Sequence, residues 1–116
     1  MSIKDFHCLE TILESIDRIY EYTSEFKCAD ELNNDYRNFD ATMMNFVVIG
    51  EMVGKLSDDL KRENPNVEWQ KIKGFRNILA HDYFGIDAEE VWQIVKNRIP
   101  LLREDIKIII ESGIDR

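Results

Sequence analysis

The stretch that decides the fold class is Leu9-Glu10-Thr11-Ile12-Leu13-Glu14-Ser15-Ile16-Asp17-Arg18-Ile19-Tyr20. Its apolar residues recur at spacings of three and four, with acidic and basic residues between them. An α-helix has about 3.6 residues per turn, so this spacing gives one apolar face and one charged face. The stretch therefore lies within a predicted amphipathic helix of about six turns.

The same periodicity extends outward through the chain and predicts an all-α, up-and-down bundle of four main helices. The second helix is expected over about Asp35–Glu63, and Asn64-Pro65-Asn66 ends it because the residue before proline is disfavoured in the α region. The third runs from about Glu68 to the low eighties, followed by a turn at residues 84–86. Short extra helices have room in the first two connections.

Two features are expected to shape these helices. Gly50 and Gly54 lie four residues apart inside the second helix, where each costs up to about 1 kcal/mol against alanine. They are therefore expected to mark the close approach of another helix. In the last helix, Asp87 and Glu90 have the spacing of an acidic capping box, Pro100 should kink or split the helix, and Ser112-Gly113 should end it.

Length and composition bound the class of protein. With 116 residues, of which 44% are hydrophobic and 33% charged, the chain suits a single domain spanning residues 1–116. No apolar run approaches the roughly 18 residues of a membrane helix, and the N-terminus lacks the features of a signal peptide. Two cysteines, Cys8 and Cys28, form no disulfide framework. We expect a cytoplasmic protein with reduced thiols and no membrane association.

The charge pattern restricts the ligands. A formal charge of −8 argues against a binder of duplex DNA held by many phosphate contacts. Residues 1–40 carry a net charge of −6, whereas residues 55–81 carry +2. An anionic ligand would therefore be drawn to the middle segment. The alternative, an ordinary helix surface of mixed charge, stays open.

Residues that could catalyse a reaction or bind an anion are concentrated near the end of the third helix. His7 has no obvious partner, and the two cysteines and two histidines lack the spacing of a zinc site, so we expect neither metal nor cofactor. His81 differs because Arg76, Asn77 and Tyr83 lie near it. An arginine on an apolar helix stripe needs a partner or a ligand, and Glu51 on the preceding helix is the candidate carboxylate.

Helical geometry separates two of these residues. At about 100° per residue, Arg76 and Tyr83 project within about 20° of each other, and Asn77 and His81 within about 40°. Arg76 and His81 are about 140° apart. They can act on the same atom only if the helix ends near His81 or a second subunit contributes, which suggests a composite site.

The motif Arg76-x-x-x-x-His81-x-Tyr83 resembles the signature of HEPN domains, specifically the HepT-like subgroup. Further likeness lies in Ile49-Gly50-Glu51, in the block from Asn64-Pro65 through Trp69 to Tyr83, in Val91-Trp92 and in Pro100-Leu101-Leu102. The resemblance implies an all-α HEPN fold, a homodimer with the motif at its interface, and metal-independent ribonuclease activity. It also implies a toxin whose antitoxin is a minimal nucleotidyltransferase that transfers AMP to Tyr83.

The residue types suit this chemistry. His81 is expected to act as the acid–base catalyst, and Arg76 to hold the non-bridging phosphate oxygens. Asn77 and Tyr83 are expected to bind or orient the RNA or the imidazole, with Glu51 supporting Arg76. Two alternatives stay open: a module that binds a nucleotide or scaffolds a partner without cutting RNA, which the acidic charge favours, and a structural bundle whose motif only cements a dimer.

Overall fold

The computed structural model describes residues 1–114, which are mostly helical with no β-strand among them. The elements in chain order are α1 Ile3–Thr23, α2 Ala29–Asn34, α3 Tyr36–Lys55, α4 Asp58–Glu63, α5 Trp69–His81, a 3-10 turn Tyr83–Gly85, α6 Ala88–Gln93, a π turn Ile94–Arg98, and α7 Ile99–Ile114. The predicted all-α fold is confirmed. None of the described helices is long and apolar enough to span a bilayer.

Helix α3 lies at the centre of the bundle and packs against both α1 and α5. Helix α1 also contacts α7, and the short α2 packs on α6. The apolar face predicted for α1 is buried, as are the matching faces of its neighbours. The largest apolar side chains that are fully buried are Leu9, Ile12, Ile16, Ile19, Leu32, Met43, Ile49, Val53, Val91, Val95 and Ile106.

The predicted second helix is two helices. It begins as expected, with Asp35 accepting a hydrogen bond from the backbone N–H of Asn38 at 3.1 Å. It breaks at Leu56, and α4 begins after Ser57. The buried carboxylate of Asp5 accepts from both the N–H and the Oγ–H of Ser57, at 2.9 Å and 2.6 Å. This tertiary contact fixes the break, so the prediction of a single helix over residues 35–63 was wrong.

The two glycines of α3 differ. A Cβ on Gly50 would collide with Cβ of Arg76 and lie 2.6 Å from its Cγ, so this glycine does mark the close approach of α5. A Cβ on Gly54 would meet nothing within 4 Å, so the expectation for this second glycine was wrong. Gly54 is exposed near the end of α3, beyond the crossing point of the two helices.

The connections follow the prediction in part. The connection after α1 holds the short helix α2, as the sequence allowed. The connection before α5, residues 64–68, is a turn without a helix. Asp87 caps α6, but its carboxylate accepts from the N–H of Glu89. The predicted interruption near Pro100 appears as the π turn directly before it, since proline lacks an N–H and its ring collides with the carbonyl four residues back.

The stop predicted at Ser112-Gly113 was wrong. Helix α7 continues through both residues to Ile114. A glycine stop works by adopting a left-handed backbone conformation, and no glycine among residues 1–114 has a positive φ. Gly113 instead accommodates Met1, whose side chain would collide with a Cβ at that position.

Candidate active site

Helix α5 carries Arg76, Asn77 and His81 and ends at His81. Asp82 leaves the helical conformation, with φ −146° and ψ 51°, and the 3-10 turn that follows begins with Tyr83. Tyr83 therefore does not continue the apolar stripe of α5, and the angle projected for it on a continuous helix does not apply. Arg76 and His81 both lie within the helix, so their predicted separation of about 140° stands.

Arg76 lies where α5 crosses α3. Its side chain is 36% exposed, and Nη2 donates to Oε1 of Glu51, whose side chain is 41% exposed. The predicted ion pair between the two is confirmed. Nη1 donates to Oδ1 of Asn77 at 3.1 Å, and the stem of the arginine lies against Gly50. Two contacts from two helices thus hold one half-buried guanidinium.

The guanidinium retains unused hydrogen-bonding capacity. Arginine has five N–H donors, and its Nε here is buried without a hydrogen-bond partner among residues 1–114. A buried donor left unsatisfied costs about 1–3 kcal/mol. Because Nε is buried, an external acceptor could reach only the remaining N–H groups of Nη1 and Nη2, on a side chain that is 36% exposed.

His81 is exposed in the last turn of α5. Its imidazole makes no hydrogen bond or ion pair with the part of the chain that the structure describes. Asn77 is also exposed, but its oxygen faces Arg76. The chain thus gathers Arg76, Asn77 and Glu51 into one cluster and leaves His81 outside it.

Tyr83 contacts α3 through a residue that the sequence did not single out. Its hydroxyl donates to Oδ1 of Asp40. The ring packs edge-on against Phe39, with centroids 6.2 Å apart, and against Phe84 at 5.6 Å. Burial and the Asp40 carboxylate together raise the pKa of Tyr83 well above its ordinary value of 10. Asp40 lies 43 residues away in sequence and belongs to no recognisable motif, so no sequence signal could have paired the two.

Half of the bases in the middle segment are neutralised by carboxylates. Arg62 pairs with Asp59, Lys71 with Glu68, and Arg76 with Glu51. The other three, Lys55, Lys61 and Lys73, make no ion pair with the described residues. The positive charge available to an anion therefore lies in these lysines and in the exposed part of the Arg76 guanidinium. No cluster of three or more His, Cys, Asp or Glu side chains suited to a metal ion occurs among residues 1–114.

An open groove of about 650 Å³ runs along α5, and Phe46 and Ile49 of α3 also line it. Ile72, Phe75 and Ile78 line it from α5, and Ile94 and Leu101 line it from the last helical segment. Ile78 is 52% exposed and Leu101 is 65% exposed, so the apolar lining is open to solvent.

Comparison with known proteins places the chain in a family. Residues 12–109 match the family described as Ribonuclease HepT-like. The chain is 35% identical over 101 residues to the Methanocaldococcus jannaschii protein named "Putative RNase MJ1380", covering 87% of this chain and 92% of that protein.

A second relative is "Probable ribonuclease HepT" of Thermococcus cleftensis, 35% identical over 102 residues, with coverage of 88% and 90%. A third, "Putative RNase MJ0127" of M. jannaschii, is 37% identical over 104 residues, with coverage of 90% and 85%. No solved structure matches. A family match over most of the chain, joined by relatives of similar length, shows that this chain belongs to the HepT-like family of ribonucleases.

Proposed function

We propose that the chain is a metal-independent endoribonuclease, the toxin of a toxin–antitoxin pair, and that Arg76 and His81 are its catalytic residues. The observation that carries the proposal is that α5 presents both a guanidinium held by two contacts and an exposed imidazole. Arg76 is fixed by Glu51 and Asn77 with its side chain still 36% exposed, and His81 is exposed at the end of the helix. Family membership supplies the reaction class.

The chemistry requires no group beyond these side chains. The 2′-hydroxyl of RNA attacks the adjacent phosphorus, the bond to the 5′-oxygen breaks, and a cyclic phosphate forms. His81 takes the 2′-proton or returns a proton to the leaving oxygen, because imidazole ionises near neutral pH. Arg76 donates to the non-bridging oxygens as negative charge develops on them. Asn77 and Tyr83 bind or orient the RNA at the edge of this site.

A homodimer resolves the separation of Arg76 from His81. A two-fold axis beside α5 would set a second Arg76–His81 pair across the interface, so that each cut uses groups from both copies. The apolar groove beside α5, with Ile78 and Leu101 exposed, supports an interface on this face. Light scattering should give twice the chain mass of 13.7 kDa at tens of micromolar, and the chain mass alone would contradict the composite site.

Substitution of the two histidines tests the catalytic assignment. His81→Ala should abolish RNA cleavage in the presence of EDTA, with the helical circular dichroism signal unchanged. His7→Ala is the matched control, because His7 is also exposed on a helix but lies on α1, and it should cleave at the wild-type rate. Cleavage by His81→Ala at the wild-type rate would refute the assignment. RNA or nucleotide binding without cleavage by the wild type would favour the alternative, a non-catalytic binding module.

Control of the toxin is proposed to act through Tyr83. A minimal nucleotidyltransferase antitoxin transfers AMP from ATP to the phenol, and the adduct places a phosphodiester and an adenosine at the edge of the site. Steric block and competition for Arg76 would then prevent RNA from binding. Intact-mass spectrometry after co-expression should show added AMP that is lost in Tyr83→Phe and retained in Tyr36→Phe, a control at a tyrosine that is 69% exposed. Modification that persists in Tyr83→Phe would contradict the proposal.

A further inference from the structure

The contact between Asp40 and Tyr83 joins a carboxylate to a phenol across two elements. Asp40 lies in the second turn of α3, and Tyr83 begins the 3-10 turn after α5. The Tyr83 hydroxyl donates to Oδ1 of Asp40, so the phenolic proton already points at a basic oxygen. Asp40 itself is exposed and is not needed to fill the core. The Asp40 carboxylate is therefore placed to accept the proton of the Tyr83 hydroxyl.

The surroundings fix the phenol and leave its oxygen near the surface. Phe39 and Phe84 both pack edge-on against the Tyr83 ring, with interplanar angles of 71° and 88°. Phe84 is itself completely exposed, so this end of the molecule is open to an approaching enzyme. The ring is only half-buried, and a macromolecule could reach its oxygen without unfolding the turn.

A neutral phenol is a weak nucleophile and needs a base when it attacks phosphorus. A phenol is protonated at neutral pH, and the raised pKa of Tyr83 makes loss of its proton to solvent harder still. Asp40 is the charged group that, together with burial, raises the pKa of Tyr83. The adjacent carboxylate of Asp82 faces elsewhere, since it lies beside Gly85, where its Oδ1 would be 2.6 Å from an added Cβ.

We propose that Asp40 positions the Tyr83 oxygen and accepts its proton when Tyr83 receives AMP, so that the toxin supplies the base for its own silencing. This inference rests on the proposed AMP transfer. The Tyr83 oxygen attacks the α-phosphorus of ATP and forms the new oxygen–phosphorus bond. The bond from that phosphorus to the bridging oxygen breaks, and pyrophosphate leaves with its electron pair. The phenolic proton passes to the Asp40 carboxylate.

The test measures single-turnover AMP incorporation by intact-mass spectrometry, with ATP and the cognate minimal nucleotidyltransferase. Asp40→Asn should lower the maximal rate by about 10²-fold, the usual effect of removing a general base, and leave the KM for the toxin unchanged. Asp40→Glu keeps a carboxylate and should restore much of the rate. Asp82→Asn is the matched control, because it removes an equal charge from the residue next to Tyr83, and it should react at the wild-type rate.

The pH profile separates proton transfer from a merely structural effect. Between about pH 7 and 9 the Asp40→Asn rate should rise about tenfold per pH unit, because the phenol must then lose its proton to solvent, whereas the wild-type rate should stay flat. The circular dichroism spectrum of Asp40→Asn should match that of the wild type. Equal rates and equal pH profiles in wild type and Asp40→Asn would overturn the inference and leave the AMP transfer standing. Absence of AMP from wild-type Tyr83 would refute the proposed control and this inference with it.

Discussion

The crossing of α3 and α5 gives the sharpest stability prediction, because α3 carries two glycines in contrasting surroundings. In Gly50→Ala the new Cβ would collide with Cβ of Arg76 and lie 2.6 Å from its Cγ. Neither atom can move far without moving the backbone of α5. In Gly54→Ala the new Cβ would meet nothing within 4 Å.

The magnitudes follow from these surroundings. Alanine gains about 0.5–1 kcal/mol over glycine in a helix, at the low end for Gly54 because it lies near the end of α3. Overpacking costs about 1–3 kcal/mol. We expect Gly54→Ala to stabilise the protein slightly, and Gly50→Ala to be less stable than Gly54→Ala by about 1 kcal/mol or more. Gly50→Ala should also lower RNA cleavage, since a displaced α5 would carry Arg76 away from Glu51.

Urea unfolding followed by circular dichroism in the far ultraviolet, at one fixed protein concentration, measures both free energies of unfolding. A difference of about 1.4 kcal/mol corresponds to about a tenfold change in the unfolding equilibrium constant. If Gly50→Ala proves as stable as Gly54→Ala, the two helices do not approach as closely as described, and the positioning of Arg76 by that contact is refuted.

Two further predictions concern carboxylates. Asp5→Asn should lower the free energy of unfolding by about 1.5 kcal/mol or more at neutral pH, because the buried carboxylate accepts two hydrogen bonds from Ser57. Burial raises the pKa of Asp5, but the hydrogen bonds from Ser57 and Ser2 and the charge of Lys4 together outweigh burial, so the net pKa lies below 3.8. This stability is therefore present above that value and is lost as the pH falls through the lower folded pKa. Acid titration of both variants should show the difference shrink, and a constant difference would contradict the assignment. Glu51→Ala should lower the free energy of unfolding by less than about 1 kcal/mol, since the side chains of Arg76 and Glu51 are both more than a third exposed. It should nevertheless lower RNA cleavage, because Arg76 is no longer held in place. Unchanged cleavage would show that the ion pair does not support the site.

The sequence by itself determined the fold class and the main helices. The three-and-four spacing of α1 and α5 is a local property, because a helix forms its hydrogen bonds within a few residues and needs only one apolar face to be buried. The start of α3 at Asp35 and the disturbance before Pro100 are equally local, and both are present. The pairing of Arg76 with Glu51 was also accessible, since an arginine on an apolar stripe requires a nearby carboxylate.

The tertiary structure decided what depends on residues distant in sequence. The break at Ser57 requires Asp5 from 52 residues away, and Gly50 differs from Gly54 only because Arg76 lies over one of them. The contact of Tyr83 with Asp40 spans 43 residues and leaves no pattern in either segment. Helical periodicity reports which face of each helix is buried, but not which side chain of a neighbouring helix lies opposite, because that is set by how the helices cross and where each one ends.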